Sequence, residues 1–315
     1  MGWHAGSRWL DLPVRTPDGA LEPRRAHVVD VGEGPGVLLL HGFLHSSWTW
    51  RETLAALVPR HRVLALDLLG FGWSDRGGDG TLPGFRAWID GALAALGVER
   101  LALACGNSLG GGLALDLAAR RPGLVERLAA VSPLGAPLPL PELPLRLLGA
   151  PALGPLFRWT AANPAFQRRA LGLAAYKRGP VCDARLFGFS TLDRPGSHDA
   201  AVRTARGLGP ASRAIAAALP TVEQPALVVW GARDGVLPLR SHGRAVADAL
   251  PAARLEVFDD CGHCAHEEDP ARFAAALEAL LARPAARRDE PVRAGAPREL
   301  ARAVDRSERA AAAAA

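Results

Sequence analysis

The sequence predicts a doubly wound, mostly parallel α/β sheet with a helical cap inserted between two strands in the middle of the chain. Short apolar runs alternate along the chain with helix-like stretches, which implies βαβ units. The runs are continuously apolar, as in strands buried on both faces. The alternation also lapses once, over residues 134–220, and then resumes. With 315 residues, the chain is long enough to bury a large core without metal or disulfide staples.

Strands are expected over 37–40, 63–66, 101–105, 128–131, 226–230 and 255–258, and helices over 48–58, 84–96, 108–121, 241–250 and 270–282. This divides the chain into a first core part (1–133), a cap (134–220), a second core part (221–283) and a tail (284–315). The cap opens on LGAPLPLPELPLRLLGAPALGPLF, and seven prolines, counted from Pro133 just before it to Pro155, are set among leucines. That is too apolar for a solvated linker. The tail combines Pro, charge and an alanine run, and is expected to be disordered or a frayed helix with no catalytic role.

Composition excludes several classes of function. With 49% hydrophobic and 22% charged residues the chain is ordinary globular protein. The net charge of +5 comes from 37 basic and 32 acidic residues; Lys177 is the one lysine, and arginines fall in scattered pairs such as Arg24/Arg25, Arg120/Arg121 and Arg168/Arg169. This describes a solvated surface and not a nucleic-acid stripe. Four cysteines (Cys105, Cys182, Cys261, Cys264) are too few for a disulfide scaffold. The N-terminus has no apolar signal core, and no apolar run reaches spanning length. A cytoplasmic protein is expected, with no nucleic-acid partner and no membrane span.

The strongest chemical signal is Gly106-Asn107-Ser108-Leu109-Gly110, a G-x-S-x-G pattern where a strand ending at Cys105 meets a helix. In such an elbow a tight turn lifts the serine hydroxyl above the sheet, and a Cβ at Gly106 or Gly110 would collide as the backbone crowds through. The following helix carries Leu109, Leu113 and Leu117 on one stripe. A serine needs a base, and the base needs an orienting carboxylate. Asp234 stands just past an apolar strand in WGARD, and His263 follows the last strand in CGH. His266, Asp259 and Asp260 are the competing candidates: His266 lies deeper toward the last helix, and the two aspartates read as turn residues. The developing oxyanion needs two backbone N–H donors, assigned to Leu109 at the helix start and Phe43 in the His41-Gly42-Phe43-Leu44 loop. His41 and His45 read as structural or pocket-lining. Leu44, Trp159, Phe166 and Val236 are the candidate substrate contacts. Cys261-Gly262-His263-Cys264 is also a CxxC, but it follows the last strand of a large sheet and does not open a thioredoxin-like unit. A metal held by Cys261, His263, Cys264 and His266 would consume the base. No metal and no cofactor are expected.

The segments HGFLHSSWTW, ALDLLGFGWSD, GNSLGG, WGARD and CGHCAHEEDP resemble, in order and spacing, those of the α/β-hydrolase superfamily, from about residue 28 to residue 281. The resemblance implies that fold, a Ser108–His263–Asp234 triad and an acyl-enzyme route, with a small molecule and water as substrates. Haloalkane dehalogenases and epoxide hydrolases carry Asp where this chain has Ser108. The chain is also similar to the carbon–carbon hydrolases of ring-fission diketones, which usually have an HGGGPG-like oxyanion loop and Trp after the histidine; here stand HGFLHSS and Cys264. The expectation is therefore hydrolysis of a carboxylic ester of a small to medium apolar substrate. The alternatives are carbon–carbon cleavage and a hydrolase-fold binding protein with little turnover. Glu142 and Arg146 are the ionic residues of an otherwise apolar first part of the cap. Arg168, Arg169, Lys177 and Arg178 are its basic residues able to meet a carboxylate.

Overall fold

The computed structural model describes residues 6–15, 20–138, 154–177 and 180–284. The chain divides after Ala285, and every described residue belongs to the first unit. The tail beyond residue 284 lies outside the described residues, as do Glu142, Arg146 and Arg178.

Eight strands form one sheet: β1 (Ser7–Arg15), β2 (Leu21–Val31), β3 (Gly36–Leu40), β4 (Arg62–Leu66), β5 (Leu103–Asn107), β6 (Leu128–Val131), β7 (Ala226–Gly231) and β8 (Ala253–Phe258). Their order is β1-β2-β4-β3-β5-β6-β7-β8. β3 to β8 run parallel to one another, while β2 is antiparallel to both β1 and β4. The expected parallel strands all occur. Their continuous apolar character has a simple cause: along β3 and β4, Leu38, Leu40, Leu64 and Leu66 join one apolar cluster while Val37, Leu39, Val63 and Ala65 join a second on the opposite face.

Helices cover both faces. The first cluster takes in α2 (Leu82–Ala95) and α3 (Leu109–Arg120), through Phe85, Trp88, Leu113 and Leu117. The second takes in α1 (Arg51–Leu57) and the C-terminal helix Pro270–Leu281, through Leu54, Leu57, Phe273 and Leu277. Helix starts follow local chemistry: the Thr81 hydroxyl accepts from Gly84 N–H at 3.2 Å, and the Asp269 carboxylate from Arg272 N–H at 3.3 Å, each with a proline in the first turn.

The N-terminal hairpin β1–β2 is an addition to the expected fold. Its signal is a period of two: Leu10, Leu12 and Val14 turn toward the core and Asp11 and Pro13 toward solvent. Pro13 is tolerated because β1 is an edge strand.

Between β6 and β7 the chain forms α4 (Gly154–Ala162), α5 (Pro164–Ala174), α6 (Asp183–Phe187) and α7 (Ser197–Ala218). Ala175, Tyr176, Val181, Leu186, Phe189 and Leu192 of this insertion make a third apolar cluster, which Cys264 and Leu44 complete from the sheet side. α7 packs elsewhere: its Ala211 and Ile215 enter the main core. None of the described helices is long and apolar enough to cross a membrane.

Candidate active site

Ser108 follows β5 and caps the start of α3 with φ 53° and ψ −117°, a strained backbone for a residue with a side chain. The crowding that forces this turn is measurable. A Cβ on Gly106 would stand 2.2 Å from the Gly110 carbonyl oxygen, and one on Gly110 would stand 2.2 Å from that of Leu40. Glycine at both positions is a steric requirement.

The loop after β3 runs against this elbow. A Cβ on Gly42 would meet Asn107 Oδ1 at 2.9 Å and Ser108 Cβ at 3.2 Å, which brings Phe43 and Leu44 alongside the serine. His41 fixes the loop from below: its Nε2 accepts from Leu68 N–H at 2.9 Å, so its Nδ1 donates to the Gly42 carbonyl at 2.7 Å. Burial pushes the His41 imidazole down to about 4, outweighing Asp67 and that carbonyl, so the ring is neutral at physiological pH.

Asp234 and His263 come from the ends of β7 and β8. Asp234 Oδ1 accepts from Val236 N–H at 2.8 Å and Leu237 N–H at 2.9 Å, while Oδ2 accepts from His263 Nδ1 at 2.8 Å. Burial raises the Asp234 carboxyl, but the His263 charge and these hydrogen bonds outweigh it and hold the group below its ordinary value. With Nδ1 donating, His263 Nε2 is left as an acceptor. His266 is elsewhere: its Nε2 contacts Thr49 Oγ1 at 2.7 Å, its ring lies 4.3 Å from that of Trp50, and burial pushes it down to about 3. Asp259 is exposed at a turn.

Ser108 and His263 open onto a cavity of about 280 Å³. Phe43, Leu44, Leu109, Leu134, Leu171, Phe189 and Val236 line it, with Cys264 and His45. No Lys, Arg, Asp or Glu is among its described lining residues. The structure thus gathers Ser108, Asp234, His263, Phe43, Leu109, Leu44 and Val236. It does not gather Trp159 and Phe166. These two are 54% and 44% exposed and pack on each other with ring centroids 5.7 Å apart. They lie on α4 and α5, and neither is among the cavity's lining residues. Apolar character alone does not say which face of a helix turns inward. Among the described basic residues, Arg168, Arg169 and Lys177 are not lining residues either: Arg168 pairs with Asp183, and Lys177 Nζ donates to the carbonyls of Leu173 and Gly172.

Two residues escaped the sequence reading. Asn107 Nδ2 donates to the carbonyls of Val131 and His263, both at 3.1 Å, and so ties the elbow to the His263 turn. Glu268 accepts from Gly262 N–H at 2.7 Å. Asn107 was visible inside the elbow motif; Glu268 carried no signal because its partners are backbone groups. Cys261 and Cys264 are buried thiols that are not joined in a disulfide. No three described His, Cys, Asp or Glu residues are grouped to hold a metal ion.

Residues 35–270 match the model of the alpha/beta hydrolase fold family. The chain belongs to that family. It is 34% identical over 275 residues to 2-hydroxymuconate semialdehyde hydrolase of Pseudomonas sp. strain CF600, covering 82% of this chain and 90% of that one. It is 32% identical over 248 residues to the pimeloyl-[acyl-carrier protein] methyl ester esterase of Aromatoleum aromaticum, covering 75% and 94%. Among solved structures it is similar to the meta-cleavage product hydrolase of Pseudomonas fluorescens IP01, with a TM-score of 0.67, 28% identity, and 82% and 94% of the two chains covered. The chain is therefore a hydrolase of the α/β family, whose relatives cleave both ester and carbon–carbon bonds.

Proposed function

We propose that the protein is a serine hydrolase that cleaves carboxylic esters of small to medium apolar substrates through an acyl-enzyme. The observation that carries this reading is Ser108, held at φ 53° on the wall of an apolar cavity that it shares with the His263–Asp234 pair. His263 Nε2 takes the Ser108 hydroxyl proton as Oγ attacks the ester carbonyl. The Phe43 and Leu109 N–H groups receive the oxyanion, each such donor lowering the barrier by about 3 to 4 kcal/mol. The imidazolium, oriented by Asp234, then protonates the departing alkoxide. Water repeats the sequence: His263 deprotonates it, it attacks the acyl carbon, and Ser108 leaves with its proton restored. The inserted helices act as a cap over this site.

The absence of charged side chains among the described lining residues favours esters over the anionic ring-fission diketones cleaved by carbon–carbon hydrolases. An aryl ester series decides between them. From acetyl to medium chain lengths, kcat/KM rises about fourfold per methylene, which corresponds to about 0.8 kcal/mol each. Efficient cleavage of a dienoic diketone acid with negligible ester turnover overturns the esterase reading. A single stoichiometric turnover overturns both and leaves a binding protein.

A further inference from the structure

The turn that carries His263 is held by the insertion as much as by the sheet. His263 N–H donates to the carbonyl of Ala175, just after α5, at 2.7 Å. A Cβ on Gly262 would stand 2.3 Å from the same Ala175 oxygen. From the sheet side, Asn107 Nδ2 holds the His263 carbonyl at 3.1 Å. Behind the turn lies Glu268, 6% exposed, with its two carboxylate oxygens divided: Oε1 accepts from Gly262 N–H at 2.7 Å and Oε2 from Lys177 N–H at 2.6 Å. One oxygen therefore holds the residue before His263, and the other holds the insertion two residues beyond Ala175. The neighbouring Glu267 makes a separate link, with Arg51 on one oxygen and Tyr176 Oη on the other.

We propose that Glu268 is a positioning residue for His263, a carboxylate strut that fixes the distance between the inserted helices and the His263 turn so that the placement of the insertion sets the placement of the base. The proposal rests on His263 acting as the base in the reading above. Only an acceptor with two oxygens and no donor serves both N–H groups; a glutamine offers one oxygen and turns an N–H₂ toward the second donor. A loss of one contact lets the His263 turn move relative to Ser108, and displacements on the order of 1 Å at a reacting group cost on the order of 100-fold in rate.

The test compares Glu268→Gln with Tyr176→Phe, which cuts the Glu267 link and leaves Glu268 intact. With an aryl ester, Glu268→Gln is expected to lower kcat about 10- to 100-fold with KM nearly unchanged. It is also expected to broaden or shift the downfield proton resonance of the His263 Nδ1–H bonded to Asp234. Tyr176→Phe lowers the melting temperature and leaves kcat and that resonance in place. If the Gln variant does not fold, Glu268→Asp is read in the same way, since its shorter carboxylate spans only one of the two N–H groups. Unchanged kcat and an unchanged resonance in the Glu268 variant overturn the proposal, as does an equal kcat loss in Tyr176→Phe. Turnover surviving in His263→Ala instead overturns the function on which it rests.

Discussion

Among the described residues, two places bring a serine, a histidine and an aspartate near one another. In one, Ser108 and His263 line the same cavity, and His263 Nδ1 is bonded to Asp234. At the far edge of the sheet, His27 Nδ1 lies 2.8 Å from Asp67 Oδ2, and its Nε2 lies 3.0 Å from Ser7 Oγ. The second set has the connectivity of a catalytic triad and lacks its surroundings. Ser7 begins an edge strand, and it does not line the cavity. Asp67 is committed to structure: it also accepts from Ser47 N–H at 2.5 Å and Trp73 N–H at 2.9 Å. Burial raises its carboxyl, but His27 and His41 outweigh that and hold it below the ordinary value. On the proposed function, the difference teaches that relay geometry alone does not make a serine reactive. The strained elbow, the N–H groups beside it and an apolar chamber for the acyl group distinguish the first set.

The sharpest way to break this comparison is Ser108→Ala. Turnover should fall by about 10⁴ to 10⁶ with the fold retained, and a serine-directed phosphonate should label wild type at Ser108 alone. Labelling of Ser7, in wild type or in the Ser108 variant, would show the second set to be reactive.

The next effect is on stability. His27→Ala leaves the Asp67 carboxylate short of a buried partner and should cost about 1 to 3 kcal/mol in a urea melt, with kcat per folded molecule unchanged. A large drop in kcat would join the two sets functionally.

Acid sharpens a third contrast. Glu267 is buried where the insertion meets the core; burial raises its carboxyl, but the His45 and Arg51 charges outweigh it and bring it down to about 2. A carboxyl lowered on folding contributes stability that is present above its ordinary value of 4.5 and lost as pH falls toward 2. The stability difference between wild type and Glu267→Gln should therefore shrink on acidification from pH 5 to 2. A difference that stays constant shows that proton linkage at Glu267 is absent.

The smallest effect is Ser7→Ala, which removes one partly buried hydrogen bond from an edge strand. About 0.5 to 1.5 kcal/mol of stability and no turnover should be lost.

The elbow, the order of Ser108, Asp234 and His263, and the parallel strands were legible in the sequence because each depends on local chemistry. Gly106 and Gly110 mark a turn in which no Cβ fits, and apolar runs of four to six residues mark strands covered on both faces. The β1–β2 hairpin was not read from the sequence, because at an edge the alternation of Leu10, Leu12 and Val14 is weak and polar residues interrupt it. The inward or outward placement of Trp159, Phe166 and Lys177 was not legible, because an amphipathic insertion buries whichever face its neighbours leave room for.

By itself, then, the sequence determined the fold family, the turn that raises Ser108 and the strand ends that carry its partners, since sterics and hydrophobic periodicity act over a few residues. Only the tertiary structure decided which histidine meets a carboxylate beside the cavity, that Asp67 pairs with His27, and that Glu268 joins the His263 turn to the insertion. Those contacts link residues 29, 40 and 91 positions apart, and hydrogen bonds at such separations depend on chain topology that no local pattern records.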